Sequence, residues 1–243
     1  MTSLEILYED NHCIAVNKPA GVPSTHFDGR AETVDGMVKA HLKEKYKKPG
    51  NVFLGVVHRL DKPVSGVLLF ARTSKAAARL AEQFREGTVE KVYWAVVEGD
   101  VETTAGTLED WLLRDRQRGR VDVVEPPPHP LSPEYEGEGE EHRARQALLH
   151  YHRRASHGGL TLLEVRPQTG RTHQLRVQLA HHARPIYGDA KYGGLHTFGK
   201  AIGLHARALT FLHPISYEPI TLTAEVPRTW RGRFAYLLRE GPR

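Results

Sequence analysis

A polar turn between two apolar runs is the feature that most constrains how this 243-residue chain folds. Apolar residues run from Val52 to Val57 and again from Val67 to Ala71, a pattern typical of two strands around a turn. The turn contains a proline, a glycine and one carboxylate, Asp61. A carboxylate is costly to bury unless it is paired or used, whereas aspartate is also common in ordinary turns. Asp61 is therefore either a site residue aimed by two strands or a plain turn residue.

Composition indicates a folded chain and weakly favours an anionic partner. Hydrophobic residues make up 40% and charged residues 26%, enough for one large domain or two closely packed lobes. The formal net charge of +5 favours a partner such as nucleic acid. The single cysteine, Cys13, excludes a disulfide framework within the chain and is interpreted as a small core residue. The N-terminal residues contain no long apolar segment, so we expect a cytoplasmic protein without a membrane anchor.

Hydrophobic periodicity predicts strands and helices in alternation. A helix capped by Ser74 and ended by Gly87 precedes a strand over 89–98, which is apolar on both faces and is therefore predicted to be central. Lys91 and Tyr93 share one face of it, although Tyr93 on pattern alone fits a core position better. The other predicted elements are strands at 4–8, 13–16, 147–151, 160–165, 203–212 and 220–224, a helix that begins after Thr33, and a final helix over 228–238. Lys18 is placed in a loop, where a lone lysine is expected to be solvated.

The segment from about residue 114 to 145 is predicted to be an exposed connection. It lacks apolar periodicity and contains four arginines between 114 and 120, three consecutive prolines at 126–128 and an acidic tract at 134–141. The arginines are candidates for phosphate contacts, which the acidic tract would oppose. The role of the acidic tract is left open.

A second informative stretch is a helix with an unusually polar start. A turn at Gly170 leads into a helix predicted to be capped near Thr172, and His173 and Arg176 lie on one face of it. The alternative is a solvated helix N-terminus. Arginines at that end oppose the helix dipole, so we predict an acidic group close to Arg176.

Several classes of site are absent from the sequence as motifs. It contains no phosphate-binding loop, dinucleotide fingerprint, zinc-protease motif or nucleophile elbow. The fifteen histidines are scattered without cysteine or acidic ligands at familiar spacings, so no metal site is predicted. The remaining candidate groups require no cofactor.

Three separated segments resemble the signatures of the RluA-type family of pseudouridine synthases. Residues 58–66 resemble its His-Arg-Leu-Asp-x-x-Thr-Ser-Gly segment, and residues 91–95 its Lys-x-Tyr-x-Ala strand. Residues 170–177, with 185–189, resemble its third signature. The three occur in the family's order, although Val64 stands where the family usually has threonine and Gln178 replaces a common histidine. Together they favour Asp61 as a site residue over a plain turn residue.

The resemblance implies an α+β pseudouridine synthase fold, with a mixed, mainly antiparallel sheet, flanking helices and a catalytic cleft between two lobes. It implies a single catalytic domain over 1–243, without the small N-terminal S4-like RNA-binding module of many relatives. The implied activity is isomerisation of uridines in ribosomal RNA, by a monomer without a cofactor. The alternatives are the same activity on tRNA and a non-catalytic RNA-binding protein. A glycosidase normally places two carboxylates about one bond, and only Asp61 lies in a signature.

The resemblance also implies roles for individual residues. Asp61 is the essential carboxylate, which either attacks the sugar or takes a proton from C2′, and Arg176 pairs with it and lowers its pKa. The ring of Tyr93 stacks on the uracil, and its hydroxyl assists removal of the C5 proton. The remaining substrate contacts implied by the resemblance are Leu175, Arg59, His58, Arg171 and His173.

Overall fold

The computed structural model describes residues 4–25, 32–126 and 144–239, and the chain divides into two compact units. The first unit comprises Met1–Trp94 and Phe198–Ala235, and the second comprises Ala95–Thr197 and Tyr236–Arg243. The acidic tract at 134–141 lies outside the described residues.

The described residues form eleven strands, five α-helices and a short 3-10 helix. In chain order they are β1 (Glu5–Glu9), β2 (Cys13–Lys18), α1 (Val34–Lys45), β3 (Gly55–Val56), β4 (Ser65–Ala71), α2 (Ser74–Glu86), β5 (Glu90–Glu98), β6 (Ala105–Asp115), β7 (Arg120–Val124), β8 (Arg145–His157), β9 (Leu160–Pro167), α3 (Gln174–His181), the 3-10 helix (Ala190–Tyr192), β10 (Leu204–Leu212), β11 (Pro219–Thr223), α4 (Arg228–Arg233) and α5 (Ala235–Arg239).

In the first unit the strands follow the order β1-β2-β4-β10, with β11 beside β10 and β3 beside β4. All of these pairs are antiparallel except β4 with β10, where His205 lies opposite Ser65 and Ala206 opposite Gly66. Gly66 has φ +117°, and a Cβ there would overlap the backbone of Ala206, so the parallel junction requires glycine. The apolar side of α2 packs against this sheet, with Leu80 in one buried cluster with Leu69.

In the second unit the strands follow the order β9-β8-β6-β7, and all three neighbouring pairs are antiparallel. The β8–β9 hairpin turns at Gly158 and Gly159, both with positive φ. A buried cluster joins β6, β7, β8, α3 and the 3-10 helix through Leu112, Val121, Ala147, Val177 and Tyr192. This cluster holds α3, the helix with the polar start, against the sheet.

The mixed, mainly antiparallel sheet and its helices confirm the α+β fold, but three predicted details are wrong. The expected connection from residue 114 begins later, because 120–124 pair with β6 and Val121 reaches the buried cluster. The cap of α2 is Thr73, whose side chain accepts from the amide of Ala76, and not Ser74. The predicted final helix is two short helices, α4 and α5.

A separate observation concerns membranes. Among the described residues, no helix combines the length and the apolar character needed to cross a membrane.

Candidate active site

Hydrogen bonds fix the backbone on both sides of Asp61. The hydroxyl of Ser24 donates to the carbonyl of Leu60 at 2.7 Å and accepts from the amide of the same residue at 3.1 Å. After Asp61, its own carbonyl accepts from the amide of Val64 at 3.0 Å. The carbonyl of Lys62 accepts from Gly21 at 2.7 Å. Because these contacts come from a distant loop as well as from within the turn, the backbone that aims the carboxylate is set before any substrate binds.

Lys18 is fully buried beneath this turn, contrary to the expectation of a solvated loop lysine. Its Nζ donates to three carbonyl oxygens, those of Pro19 at 3.0 Å, Lys62 at 3.2 Å and Val64 at 2.6 Å. Burial lowers the pKa of Lys18 to about 7, and the negative charge of Asp61 acts in the opposite direction. Three acceptors match the three donors of an ammonium, so the contacts favour the charged form.

A buried histidine fixes the downstream end of the turn. Ser65 Oγ lies 2.8 Å from His205 Nδ1, and His205 Nε2 lies 3.2 Å from the carbonyl of Ala224. The carbonyl only accepts, so Nε2 carries the proton and Nδ1 accepts from the serine hydroxyl. Burial lowers the pKa of His205 to about 4, which keeps the ring neutral near pH 7.

Tyr93 lies in the part of β5 that belongs to the first unit, and its side chain is half-buried. Burial raises the pKa of Tyr93, and the negative charge of Asp61 raises it further. The phenol therefore keeps its proton near pH 7, and it lies close enough to Asp61 for the charge of the carboxylate to act on it. The charge of Asp61 thus raises the pKa of both Tyr93 and Lys18, and all three residues belong to the first unit.

Two predicted substrate contacts, His58 and Arg59, precede Asp61. His58 Nε2 accepts from the amide of Leu69 at 2.9 Å, and its ring stacks on Phe84 with centroids 4.6 Å apart. Burial, together with the positive charge of Lys91, lowers the pKa of His58 to about 3. This imidazole is engaged with the scaffold, whereas Arg59 is exposed. Their contact with substrate stays a prediction.

In the second unit, Arg176 and Asp189 form a buried ion pair with two parallel hydrogen bonds. Arg176 Nε donates to Asp189 Oδ2 at 2.7 Å, and Nη2 donates to Oδ1 at 2.8 Å. Only 7% of the arginine side chain and 2% of the aspartate side chain are exposed. An acidic group does lie close to Arg176, as predicted, but in this pair it is Asp189, whereas the resemblance implied Asp61 as that acid.

The start of α3 is buried rather than solvated, and it differs from the predicted cap. The N-cap is His173, with φ +52° and no side-chain cap bond, and not Thr172. Gln174 Oε1 accepts from the amide of Arg171 at 3.0 Å, and so satisfies a donor before the first turn. All residues from 174 to 179 are buried, so the interpretation as a solvated helix end is wrong.

Comparison with known proteins places the chain in a family. The family model described as RNA pseudouridylate synthase matches residues 12–181. The chain belongs to the RNA pseudouridylate synthase family. As a member of this family it is an isomerase, and the RluA-type resemblance of its three segments is confirmed.

Relatives of this pseudouridylate synthase carry names that specify different classes of RNA. Ribosomal large subunit pseudouridine synthase D of Xanthomonas campestris pv. campestris is 36% identical, over 98% of this chain and 70% of its own length. The tRNA pseudouridine synthase C of Haemophilus ducreyi is 34% identical, over 95% of this chain and 94% of its own length. The structure of human RNA pseudouridylate synthase domain containing 4 matches with a TM-score of 0.74 at 24% identity, over 97% of this chain and 92% of that one. That structural likeness shows the fold.

The predicted site residues of this synthase fall into two sets. Asp61, Tyr93, His58 and Arg59 belong to the first unit, and Arg176, Leu175, Arg171 and His173 belong to the second. Leu175 is buried, Arg171 is exposed, and His173 Nδ1 lies 2.7 Å from the hydroxyl of Tyr192. The pairing of Arg176 with Asp61 joins residues of the two units and stays a prediction.

One group in the described part of the synthase has metal-ligating side chains close together. Ligand atoms of Asp10, Cys13 and His213 lie within 4.8 Å of one another. Asp10 Oδ1 accepts from the amides of His12 and Cys13, and Oδ2 lies 2.8 Å from His213 Nε2. Burial raises the pKa of Cys13 to about 12, which opposes formation of the thiolate that a metal requires. The group therefore fits a hydrogen-bonded turn better than a cation site.

Proposed function

We propose that this protein converts specific uridines of ribosomal RNA into pseudouridine, with Asp61 as the essential carboxylate. The observation that carries the proposal is the turn of Asp61, whose backbone is fixed by hydrogen bonds and by buried Lys18, beside a tyrosine whose pKa the carboxylate raises. A turn residue without a function needs no such support. Preorganised groups of this kind are what catalysis requires.

The reaction is an isomerisation that consumes no second reactant. The bond from N1 of uracil to C1′ of the sugar breaks, the base turns while bound, and C5 bonds to C1′. C5 loses a proton and N1 gains one, so atoms and electrons balance. Asp61 either attacks C1′ or takes a proton from C2′, and both routes begin from the ionised carboxylate.

Tyr93 is proposed to stack on the uracil and to assist removal of the C5 proton. Its raised pKa makes the phenol a poor base while Asp61 is negatively charged. If Asp61 forms an ester with C1′, that ester breaks as C5 bonds to C1′, so Asp61 is a carboxylate again when C5 loses its proton. On this route Tyr93 assists the proton removal as a neutral phenol.

Arg176 is the third proposed catalytic residue, and its assignment rests on the family signature at 170–177. Its guanidinium is held by Asp189 within the second unit, so its position is fixed by the fold. Leu175, Arg171 and His173 in the same stretch, with His58 and Arg59, are proposed to contact the RNA.

Transfer RNA is a second candidate substrate. It is supported by the relative named tRNA pseudouridine synthase C, which is 34% identical over 94% of its own length. The net charge of +5 suits either RNA.

The direct test measures release of tritium from transcripts of ribosomal and transfer RNA labelled at C5 of uridine. We expect release with the wild type, and a rate lower by at least about a thousandfold with Asp61→Asn, because the neutral amide neither attacks nor accepts a proton. The variant should still bind RNA. Asp100→Asn, at an exposed aspartate, is the matched control and should keep wild-type turnover.

Two outcomes contradict the proposal. If the wild type releases no tritium from any transcript yet binds RNA, the protein is an RNA-binding protein with this fold. If Asp61→Asn turns over as the wild type does, another residue carries the chemistry.

A further inference from the structure

The β6–β7 hairpin presents a basic tip in the second unit. Its tip, residues 114–120, contains four arginines and one acidic residue, Asp115. Asp115 Oδ1 accepts from the amide of Arg118 at 2.9 Å, which fixes the turn. The side chains of Arg114, Arg116 and Arg118 are exposed. The tip is therefore a surface of fixed shape with an excess of positive charge.

Reciprocal hydrogen bonds tie this tip to the residues that follow Asp189. Arg120 Nη1 donates to the carbonyl of Lys191 at 3.1 Å, and Lys191 Nζ donates to the carbonyl of Gly119. Lys191 is exposed and adds another cation to the surface, whereas Arg120 forms an ion pair with Asp122 at 3.0 Å. These hydrogen bonds hold the hairpin and the 3-10 helix together.

Tyr192 connects the hairpin and the 3-10 helix to α3, the helix that carries Arg176. Its hydroxyl accepts from the amide of Val121 in the hairpin at 3.1 Å and lies 2.7 Å from His173 Nδ1. The guanidinium carbons of Arg120 and Arg176 lie 5.2 and 5.1 Å from its ring centre. The ring also belongs to the buried cluster of the second unit. One side chain therefore touches the hairpin, the start of α3 and Arg176.

The contact with His173 matters because this residue is strained. A non-glycine residue at φ +52° is uncommon and needs support from its surroundings. His173 is the N-cap of α3 without a side-chain cap bond, and its ring contacts Tyr192 both through the hydrogen bond with the hydroxyl and edge-on, with ring centroids 5.6 Å apart. Losing that bond would loosen the first turn of α3, where Arg176 is placed.

We propose that Tyr192 is a positioning residue that fixes Arg176 relative to the basic hairpin, and that the hairpin binds the phosphates of the RNA substrate. Phosphate contacts set the register and orientation of a bound nucleic acid. RNA held at the hairpin is thereby held at a fixed geometry to Arg176. The inference rests on the proposed function, since it assigns Arg176 to the isomerisation.

The test of Tyr192 separates the rate at saturating RNA from affinity. The variant is Tyr192→Phe, which keeps the ring and removes the bonds to Val121 and His173. The matched control is Tyr151→Phe, a buried tyrosine of the same unit whose hydroxyl bonds to Thr103 and Arg184, with Arg184 also against its ring. Both variants should lose similar thermal stability. Only Tyr192→Phe should slow single-turnover isomerisation of an unmodified transcript at saturation, by about tenfold, with the dissociation constant changed less than about twofold.

The hairpin is tested by removing charge from its tip. Arg116→Gln with Arg118→Gln should weaken binding of the same transcripts and reduce the slope of log affinity against log salt by about 1.5, the value for two lost phosphate contacts. The control is Lys75→Gln with Arg85→Gln on α2, where two exposed cations are removed from the first unit.

Each result supports or overturns the inference. If Tyr192→Phe isomerises as fast as Tyr151→Phe, Tyr192 has only a structural role. If the hairpin variant keeps the wild-type salt slope, or changes it no more than the α2 variant does, the hairpin binds no phosphate. If the wild type itself isomerises nothing, the proposed function fails and this inference fails with it, a result that differs from either of the others.

Discussion

Arg176 and Asp189 bind each other through two parallel hydrogen bonds of 2.7 and 2.8 Å in a buried part of the second unit. Such a pair is bidentate and charge-assisted, which gives it geometric precision as well as energy. The proposed catalytic arginine is thus aimed by an acidic residue that lies 13 positions later in the chain. Its position is a property of the folded unit and not of the helix alone.

Removal of the acidic partner should be strongly destabilising. Asp189→Asn leaves the guanidinium of Arg176 buried without its full counter-charge, so we expect the free energy of unfolding to fall by about 3 kcal/mol or more. Denaturant-induced unfolding measures this loss. Glu82→Gln, which breaks an exposed ion pair with Arg85, is the control and should cost less than about 1 kcal/mol. Equal stability of the two variants would show that the buried pair contributes no more than a surface one.

Lys18 should matter for stability through the turn that it supports. Lys18→Met removes the donor to the carbonyls of Lys62 and Val64, and we expect a loss of about 2 kcal/mol in the free energy of unfolding. Lys39→Met is the matched control, because Lys39 is 42% exposed and pairs only with Asp35 among the contacts described. A Lys18 variant as stable as the Lys39 variant would mean that the turn holds its shape without the ammonium.

Lys18 shows which kind of contact cannot be predicted from local sequence patterns. The apolar run of β2 and the run after Asp61 are local patterns, and they predicted β2 and β4 correctly. The run at 52–57 was predicted as a strand, but only Gly55–Val56 pairs as one. Lys18 ends β2, but Pro19, Gly21 and Pro23 directly after it suggest a loop. Its burial depends on carbonyls 44 and 46 residues away, which no local pattern contains.

Stability should fall with acid in the range where buried histidines would take up protons on unfolding. Burial holds the pKa of His205 at about 4, below its ordinary value of 6.5. The unfolded chain therefore binds a proton below pH 6.5 that the folded chain does not, so stability is complete above that pH and declines as the pH falls towards 4. For His205 we expect a loss of about 1.3 kcal/mol between pH 7.5 and 5.5, measured by unfolding at a series of pH values.

His205→Gln is the variant that isolates this contribution. Glutamine retains a donor and an acceptor for Ala224 and Ser65 but does not titrate. Its stability should be lower at pH 7.5 and should fall less between pH 7.5 and 5.5 than that of the wild type. An unchanged pH dependence in this variant would show that His205 is not the group responsible.

The signature residues of the candidate site could be predicted from the sequence, but the residues that hold them in place could not. Asp61, Tyr93 and Arg176 lie in segments whose resemblance to a family identified them. Asp189 ends the 185–189 part of the third signature, but no role was predicted for it. The physical argument that cations at a helix start need an acid nearby predicted an acidic group without naming this one. Tyr192 gave no signal, because its role comes from contacts with Val121, His173 and two arginines on separate elements. Contacts between distant segments are set by tertiary packing, which a single sequence does not display.

The central claim is tested most directly by mapping pseudouridine in total ribosomal and transfer RNA from cells with the gene intact, deleted, or restored as wild type or Asp61→Asn. The proposal predicts that one or a few sites in ribosomal RNA lose pseudouridine on deletion, regain it with the wild type, and stay unmodified with Asp61→Asn. Sites that change only in transfer RNA would assign the activity to the second candidate substrate. An unchanged map in all four strains, or sites restored equally by Asp61→Asn, would contradict the claim that Asp61 carries an RNA isomerisation.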